Sequence, residues 1–286
     1  MIIFEVETME EKNYNLIDDD EYFDELYEAM LEEGPPESLI LSAEQGDPES
    51  QCELGLDYMF GYDTAPNFEV SLKWLNLAAA QGNEDALKML EQVEKAKKLL
   101  LDAEGGDLEA QYQIGRYYYH GYGLAVDIEK AKDWYVRAAE RGHTEAMYEL
   151  GFHYDLSGAE PRDGYRESML EARKWYTLAA KQGHAEAAYR LGRIYYYGFG
   201  FDRFEDHRGE AIKCFEFAAE KGLDEAQYTL GVCYYWGYGT EKNVEKSLKW
   251  FRMAAEQGNK DAIDRLRELG QPVDCYTVKE KWLSSY

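Results

Sequence analysis

Nucleophilic, acid–base or metal chemistry in this 286-residue chain would run through five histidines (His120, His143, His153, His184, His207) and four cysteines (Cys52, Cys214, Cys233, Cys275). A catalytic pair needs a nucleophile with a positioned base, and such residues stand outside positions that packing already claims. His143 and His184 each follow a turn glycine, where a turn or capping role explains them better than ligation. The cysteines form no CxxC pair, so neither a zinc site nor a disulfide ladder is expected. HExxH, SxxK, GxSxG and a phosphate-cradling glycine loop are missing from the sequence. The expectation is no catalytic residue, no metal and no cofactor, with an undetected hydrolase as the enzymatic alternative.

Any functional side chain must be positioned by a repeat. One segment recurs as QCELGLDYMFGY (51–62), QYQIGRYYYHGYG (111–123), MYELGFHYDLSG (147–158), AYRLGRIYYYGFG (188–200) and QYTLGVCYYWGYG (227–239). Each is followed by a second pattern, such as AKDWYVRAAERGH or SLKWFRMAAEQGN, so the unit is a pair of helices. Glycines closing the second helix stand at 46, 82, 106, 142, 183, 222 and 258, with one spacing of 24 among values of 36 to 41. In the first helix, Leu54, Ile114, Leu150, Leu191 and Leu230 share a face with the tyrosine four residues on, as an apolar helical stripe requires. The glycine after each is read as room for the partner helix, since Gly inside a helix otherwise costs about 1 kcal/mol. Second helices are expected to start after Asn67, Asp127, Ser168 and Asn243, whose side chains can cap them; His207 takes that place in the fifth copy, a weaker start.

These residues resemble the Sel-one-like repeat family, relatives of the tetratricopeptide repeats. Ala110, Ile114, Gly115, Tyr118, Gly121, Gly123, Lys130, Ala131, Trp134, Tyr135, Ala138, Ala139 and Gly142 carry the pattern in one copy, and the likeness runs over about 37–270. The resemblance implies an all-α fold, a right-handed superhelical α/α solenoid of stacked two-helix repeats, and adaptor, scaffold or regulatory roles with catalysis rarely claimed. Two stretches depart from the pattern. Residues 83–106 lack a GxG loop and read as one long helix or two short ones, and SGAEPRDGYRES (157–168) replaces a tight turn by a longer polar loop.

The organisation expected is an acidic segment (1–20), a repeat body with capping helices (21–270) and a tail (271–286). Tyr22, Phe23, Leu26 and Met30 form the N-terminal capping stripe; Ala262, Leu266 and Leu269 form the C-terminal one. Val273, Trp282 and Tyr286 mark a tail that is either mobile or packed back on the last repeat.

The opposite face of each first helix is the candidate partner site. At about 100° per residue it carries Tyr112, Arg116, Tyr119 and His120, then Tyr148, Phe152 and Asp155. It continues with Tyr189, Arg193, Tyr196 and Tyr197, and with Tyr228, Tyr235 and Trp236. Cys52, Leu56, Met59 and Phe60 hold these places in the first copy, and Glu49, Glu109, Glu145, Glu186 and Glu225 border them. The resemblance implies that this face lines a concave groove. Aromatic anchors beside carboxylates suit a protein or peptide that presents Lys or Arg next to apolar groups. Packing between helices is the competing role, above all for the tyrosines three before the glycine.

Charge supports that sign. Fifty-seven acidic against 31 basic residues give −26, and residues 1–37 hold fourteen carboxylates opposed by Lys12 alone. Nucleic acid and anionic lipid surfaces are thereby disfavoured, whereas a basic protein partner is not. An acidic immunity or inhibitor protein that masks a toxin or enzyme is the alternative. The start, Met1-Ile2-Ile3-Phe4-Glu5, has no positive n-region, and no run of about 18 apolar residues follows, so a cytoplasmic, non-membrane protein is expected.

Overall fold

A computed structural model of the chain describes residues 34–62, 64–157, 165–201 and 206–272. The acidic segment, the stripe at Tyr22–Met30, most of the polar loop at 157–168 and the tail beyond 272 lie outside the described residues. Among those described, all regular structure is helical: α1 (Glu37–Glu44), α2 (Pro48–Phe60), α3 (Phe68–Ala80), α4 (Glu84–Glu104), α5 (Leu108–His120), α6 (Ile128–Glu140) and α7 (Thr144–Ser157). They are followed by α8 (Tyr165–Lys181), α9 (Ala185–Tyr197), α10 (Arg208–Glu220), α11 (Asp224–Trp236), α12 (Val244–Glu256) and α13 (Lys260–Glu268). The chain divides into two compact units, the first comprising Met1–Lys97 and His120–Val126, the second Lys98–Tyr119 and Asp127–Tyr286.

Each repeat closes on its central glycine. A methyl group at Gly115, Gly151, Gly192 or Gly231 would lie 2.5–2.7 Å from the ring of Tyr135, Tyr176, Phe215 or Phe251, all on the second helix of the same repeat. Gly55 meets Leu75 in the same way, at 2.8 Å. Those partner side chains are buried, and burying each contributes about 1.5–3 kcal/mol. The turn glycine after each second helix has positive φ, from +85° at Gly82 to +100° at Gly183, a region closed to most L-residues.

Neighbouring helix pairs are tied by a buried polar lock that the apolar stripe did not announce. Gln227 donates through Nε2 to the Ala219 carbonyl at 3.1 Å and accepts from Gln257 Nε2 at 2.9 Å. Gln257 also donates to the Gly222 carbonyl. Gln111 repeats the motif with Ala103 O and Arg141, as Gln51 does with Ala43 O and Gln81. The lock supplies donors to carbonyls that a helix C-terminus leaves short of partners.

Asn67, Asp127 and Asn243 accept from the amides of Val70, Lys130 and Lys246, as their types imply. His143 and His184 do the same for Ala146 and Ala187 through Nδ1. Ser168 is not a cap. It lies inside α8, which starts at Tyr165; Glu167, in the first turn, favours the positive helix end one turn earlier. His207 makes no capping bond, and the adjacent Asp206 accepts from the Arg208 amide instead.

The shortened repeat is one continuous helix, α4. From Asn83, which caps it through the Ala86 amide, no Gly or Pro interrupts the run before Gly105, and Leu, Lys, Glu and Ala sustain helix throughout. Ala86, Val93, Ala96 and Ala103 form its buried stripe.

Candidate interaction faces

In the second unit the tyrosines three before the glycine are half-buried and serve packing. Tyr112 stacks on His143 with centroids 4.4 Å apart and leans on Tyr135 at 6.0 Å. Tyr148 stacks on His184 at 4.6 Å and meets Tyr176 at 6.0 Å. Tyr189 and Tyr228 each lie 5.7 Å from the phenylalanine of their own second helix, Phe215 and Phe251. Only their outer edges are open to a partner.

The charges beside these rings are largely answered from within. Arg116 lies 6.0 Å over Tyr112, and its charge acts on Glu149, a carboxyl that burial pushes above its ordinary value. Arg190 sits 5.1 Å over Phe152 and pairs with Asp155 at 3.5 Å, while the Tyr176 hydroxyl donates to the same carboxylate at 3.2 Å. His143 Nε2 meets Glu109 at 3.2 Å.

The rings at the ends of the first helices are more open. Tyr197 is 59% and Trp236 52% exposed, Arg193 is exposed, and Tyr119, Tyr196 and Tyr235 are half-buried. Tyr196 meets Tyr197 edge-on at 5.1 Å and Tyr238 of the next repeat at 6.5 Å. Tyr235 and Trp236 meet edge-on at 4.9 Å. Phe199, stacked on Tyr197 at 5.3 Å, and Tyr238 join this edge from the GxG segments that follow α9 and α11. The signal was present in the aromatic middle residue of each GxG.

In the first unit the corresponding face forms a cleft of about 500 Å³ lined by Glu49, Cys52 and Leu56 from α2, with Leu39, Asn83 and Asp85 on other elements. Met59 is fully buried in the core and takes no part in that face. His120, the last residue of α5, is exposed and lies 5.1 Å from Tyr122. Among the described residues no group of three or more His, Cys, Asp or Glu could hold a metal ion, and no helix is long and apolar enough to cross a membrane.

The stacked helix pairs, with their close-approach glycines and paired aromatics, define an α-helical repeat protein of the Sel1 kind. The Sel1 repeat pattern matches residues 48–83, 108–143, 144–184, 185–223 and 224–259, more than half of the chain, which belongs to this family. Similar solved structures include c5321, a protective antigen of uropathogenic Escherichia coli with an SLR fold (TM-score 0.54, 28% identity, 85% of this chain and 54% of that one). Another is a Sel1 repeat protein from Oxalobacter formigenes (TM-score 0.53, 29% identity, 81% of this chain and 68% of that one). Among curated proteins, the chitin synthase regulator SKT5 of Malassezia restricta is 30% identical over 129 residues, which are 40% of this chain and 9% of the regulator. The chain thus spans about half of the antigen and a small part of the regulator. Sel1 repeat proteins generally mediate protein–protein interaction and are typically non-catalytic.

Proposed function

We propose that this chain is a non-catalytic scaffold whose repeat body, residues 21–270, binds a partner protein through the aromatic and acidic faces of its first helices. The partner presents a basic segment. The observation that carries this reading is the recurrence of open rings at one end and carboxylates at the other end of the first helices of successive repeats. Tyr197 and Trp236 stand exposed at the ends of α9 and α11, whose first turns hold Glu186 and Glu225; burial first, then Asp224 and Glu186, raise the Glu225 carboxyl. Aromatic anchors supply most of the energy of such interfaces, and carboxylates set sign and association rate. The free thiols of Cys52, Cys214 and Cys233 fit a reducing cytoplasm.

The test is to identify the partner by affinity capture, then replace Tyr196, Tyr197, Tyr235 and Trp236 by Ala together. Affinity should fall by about a hundredfold, two anchors' worth. Unchanged binding by a variant with native helicity and melting behaviour overturns the face. The charge of −26 also suits an immunity or inhibitor protein. Protection of cells co-expressing a toxin encoded nearby supports that alternative, and its absence removes it.

A further inference from the structure

We infer that the ring edge of the second unit seats a polyproline II segment of the partner, its prolines lying in two slots one repeat apart, a partner class that deepens the proposed scaffold function and rests on it. The slots are built alike. At the end of α9 the rings of Tyr196 and Tyr197 stand 5.1 Å apart with planes at 87°, and at the end of α11 those of Tyr235 and Trp236 stand 4.9 Å apart at 85°. Phe199, 5.3 Å from Tyr197, extends the first pair, and Tyr238, 6.5 Å from Tyr196, carries the apolar surface from one repeat to the next.

The open area is too small for a second copy of the chain. Tyr197, Phe199, Trp236 and Tyr238 are exposed, and on the usual area of an aromatic side chain they leave about 400 Å² open, half of the roughly 800 Å² that each side of a stable dimer buries. A narrow strip of rings fits an extended segment instead. Spacing then selects its conformation. The first helices α9 and α11 touch, with the Tyr189 and Thr229 hydroxyls 3.4 Å apart, and packed helices lie about 8–10 Å apart. Three residues of polyproline II rise about 9 Å, so residues i and i+3, on one side of that helix, meet equivalent ring pairs on successive repeats. A β-strand spaces its same-side residues by about 6.7 Å, out of step with the repeats. Charge decides which side chains sit there. Lys242 Nζ already lies 5.6 Å over Tyr235, and Arg208, held by Asp206 at 2.9 Å, acts on the Tyr196 hydroxyl. A Lys or Arg of the partner would meet those cations, whereas proline brings an apolar ring without charge. The partner's basic residues fall toward Glu186 and Glu225, at the other ends of the same helices. A polyproline II backbone makes no internal hydrogen bonds, so its carbonyls can accept from the Tyr and Trp donors at the ring edges.

The probe is the uncharged peptide acetyl-Ala-Pro-Pro-Ala-Pro-Pro-Ala-amide, titrated against the full chain and followed by aromatic and amide chemical shifts. Binding should move the rings of Tyr197 and Trp236, and should weaken about tenfold in Tyr197→Leu/Trp236→Leu, which keeps apolar bulk and removes the rings. Both side chains are exposed, so the fold tolerates the change. On the native chain, one more alanine between the proline pairs, acetyl-Ala-Pro-Pro-Ala-Ala-Pro-Pro-Ala-amide, turns the second pair about 120° away and should weaken binding by a similar factor. No binding by the native chain, equal binding of the two peptides, or undiminished binding by the leucine variant overturns the slots, as does binding of cellohexaose at these rings in place of the proline peptide. The scaffold reading is tested apart: a four-alanine variant that keeps full partner affinity overturns it, whereas loss of partner affinity in that variant, with a native chain indifferent to proline spacing, removes the slots alone.

Discussion

Gly151 lies directly against the Tyr176 ring: a methyl group in its place would come within 2.5 Å of Cδ1. Gly151→Ala gains helix propensity but must displace a fully buried ring, so the variant should lose about 1–3 kcal/mol of stability. Gly209, inside α10 with open space around its Cβ position, is the matched control. Gly209→Ala should gain about half a kcal/mol or more. Urea denaturation followed by circular dichroism reads both, and an unchanged midpoint for Gly151→Ala contradicts the close-approach role.

Gln227→Ala removes a donor from the Ala219 carbonyl and an acceptor from Gln257. The expected loss is about 1–3 kcal/mol, the usual cost of stranding buried polar partners. If Gln257→Ala in the Gln227→Ala background costs nothing further while Gln257→Ala alone does, the two act as one lock.

Two groups predict opposite pH trends. Burial raises the Glu149 carboxyl above 4.5 in the folded chain, so its contribution to stability is fully present below that value and is lost as pH rises through the folded value. Glu149→Gln should therefore match the native chain near pH 4 and exceed it slightly at pH 7, by less than about 1 kcal/mol because part of the group faces solvent. Burial and then Lys132 lower His153 below 6.5, so its contribution is present above 6.5 and is lost as pH falls through the folded value. His153→Gln should flatten the decline below pH 6.5. Chemical denaturation from pH 4 to 8 gives both signs, and either trend reversed refutes the assignment.

Burial pushes the Cys214 and Cys233 thiols to about 11 and about 12. In a Cys275→Ser variant, iodoacetamide at pH 7.5 should leave both unmodified for hours and alkylate them on addition of urea, since the thiolate is the nucleophile. Rapid labelling of the folded chain, read by mass spectrometry, would contradict the burial of Cys233 and the partial burial of Cys214.

The helix pairs were legible because turn glycines, Asn and Asp caps and the Leu-Gly-Tyr stripe each act through local geometry that the residue type alone enforces. Ser168 misled because capping residues are also tolerated within helices, and α8 already begins at Tyr165. The Gln lock was hidden: a polar residue on an apolar stripe gives no sign of its partner, which lies 30 residues away at Gln257. The candidate face was legible as a list and not as an arrangement. Tyr112 and Tyr148 are committed to His143 and His184, the histidines that cap the first helix of the following repeat, a contact that single-helix periodicity does not encode. Phe199 and Tyr238 sit between glycines of positive φ whose role in reversing the chain hides the ring that each segment also presents.

The polar lock at Gln227 joins residues 30 apart in sequence, and the Gln257 bond to Gly222 spans 35. Such bonds reach only one repeat along the chain, so closing them never requires a long loop to be ordered first, and folding can spread from whichever pair forms earliest. A protein assembled this way has few distant contacts to renegotiate when its length changes. Whole repeats can therefore be duplicated or deleted at the turn glycines, and the reach of the surface it offers can change without redesign of the parts that remain.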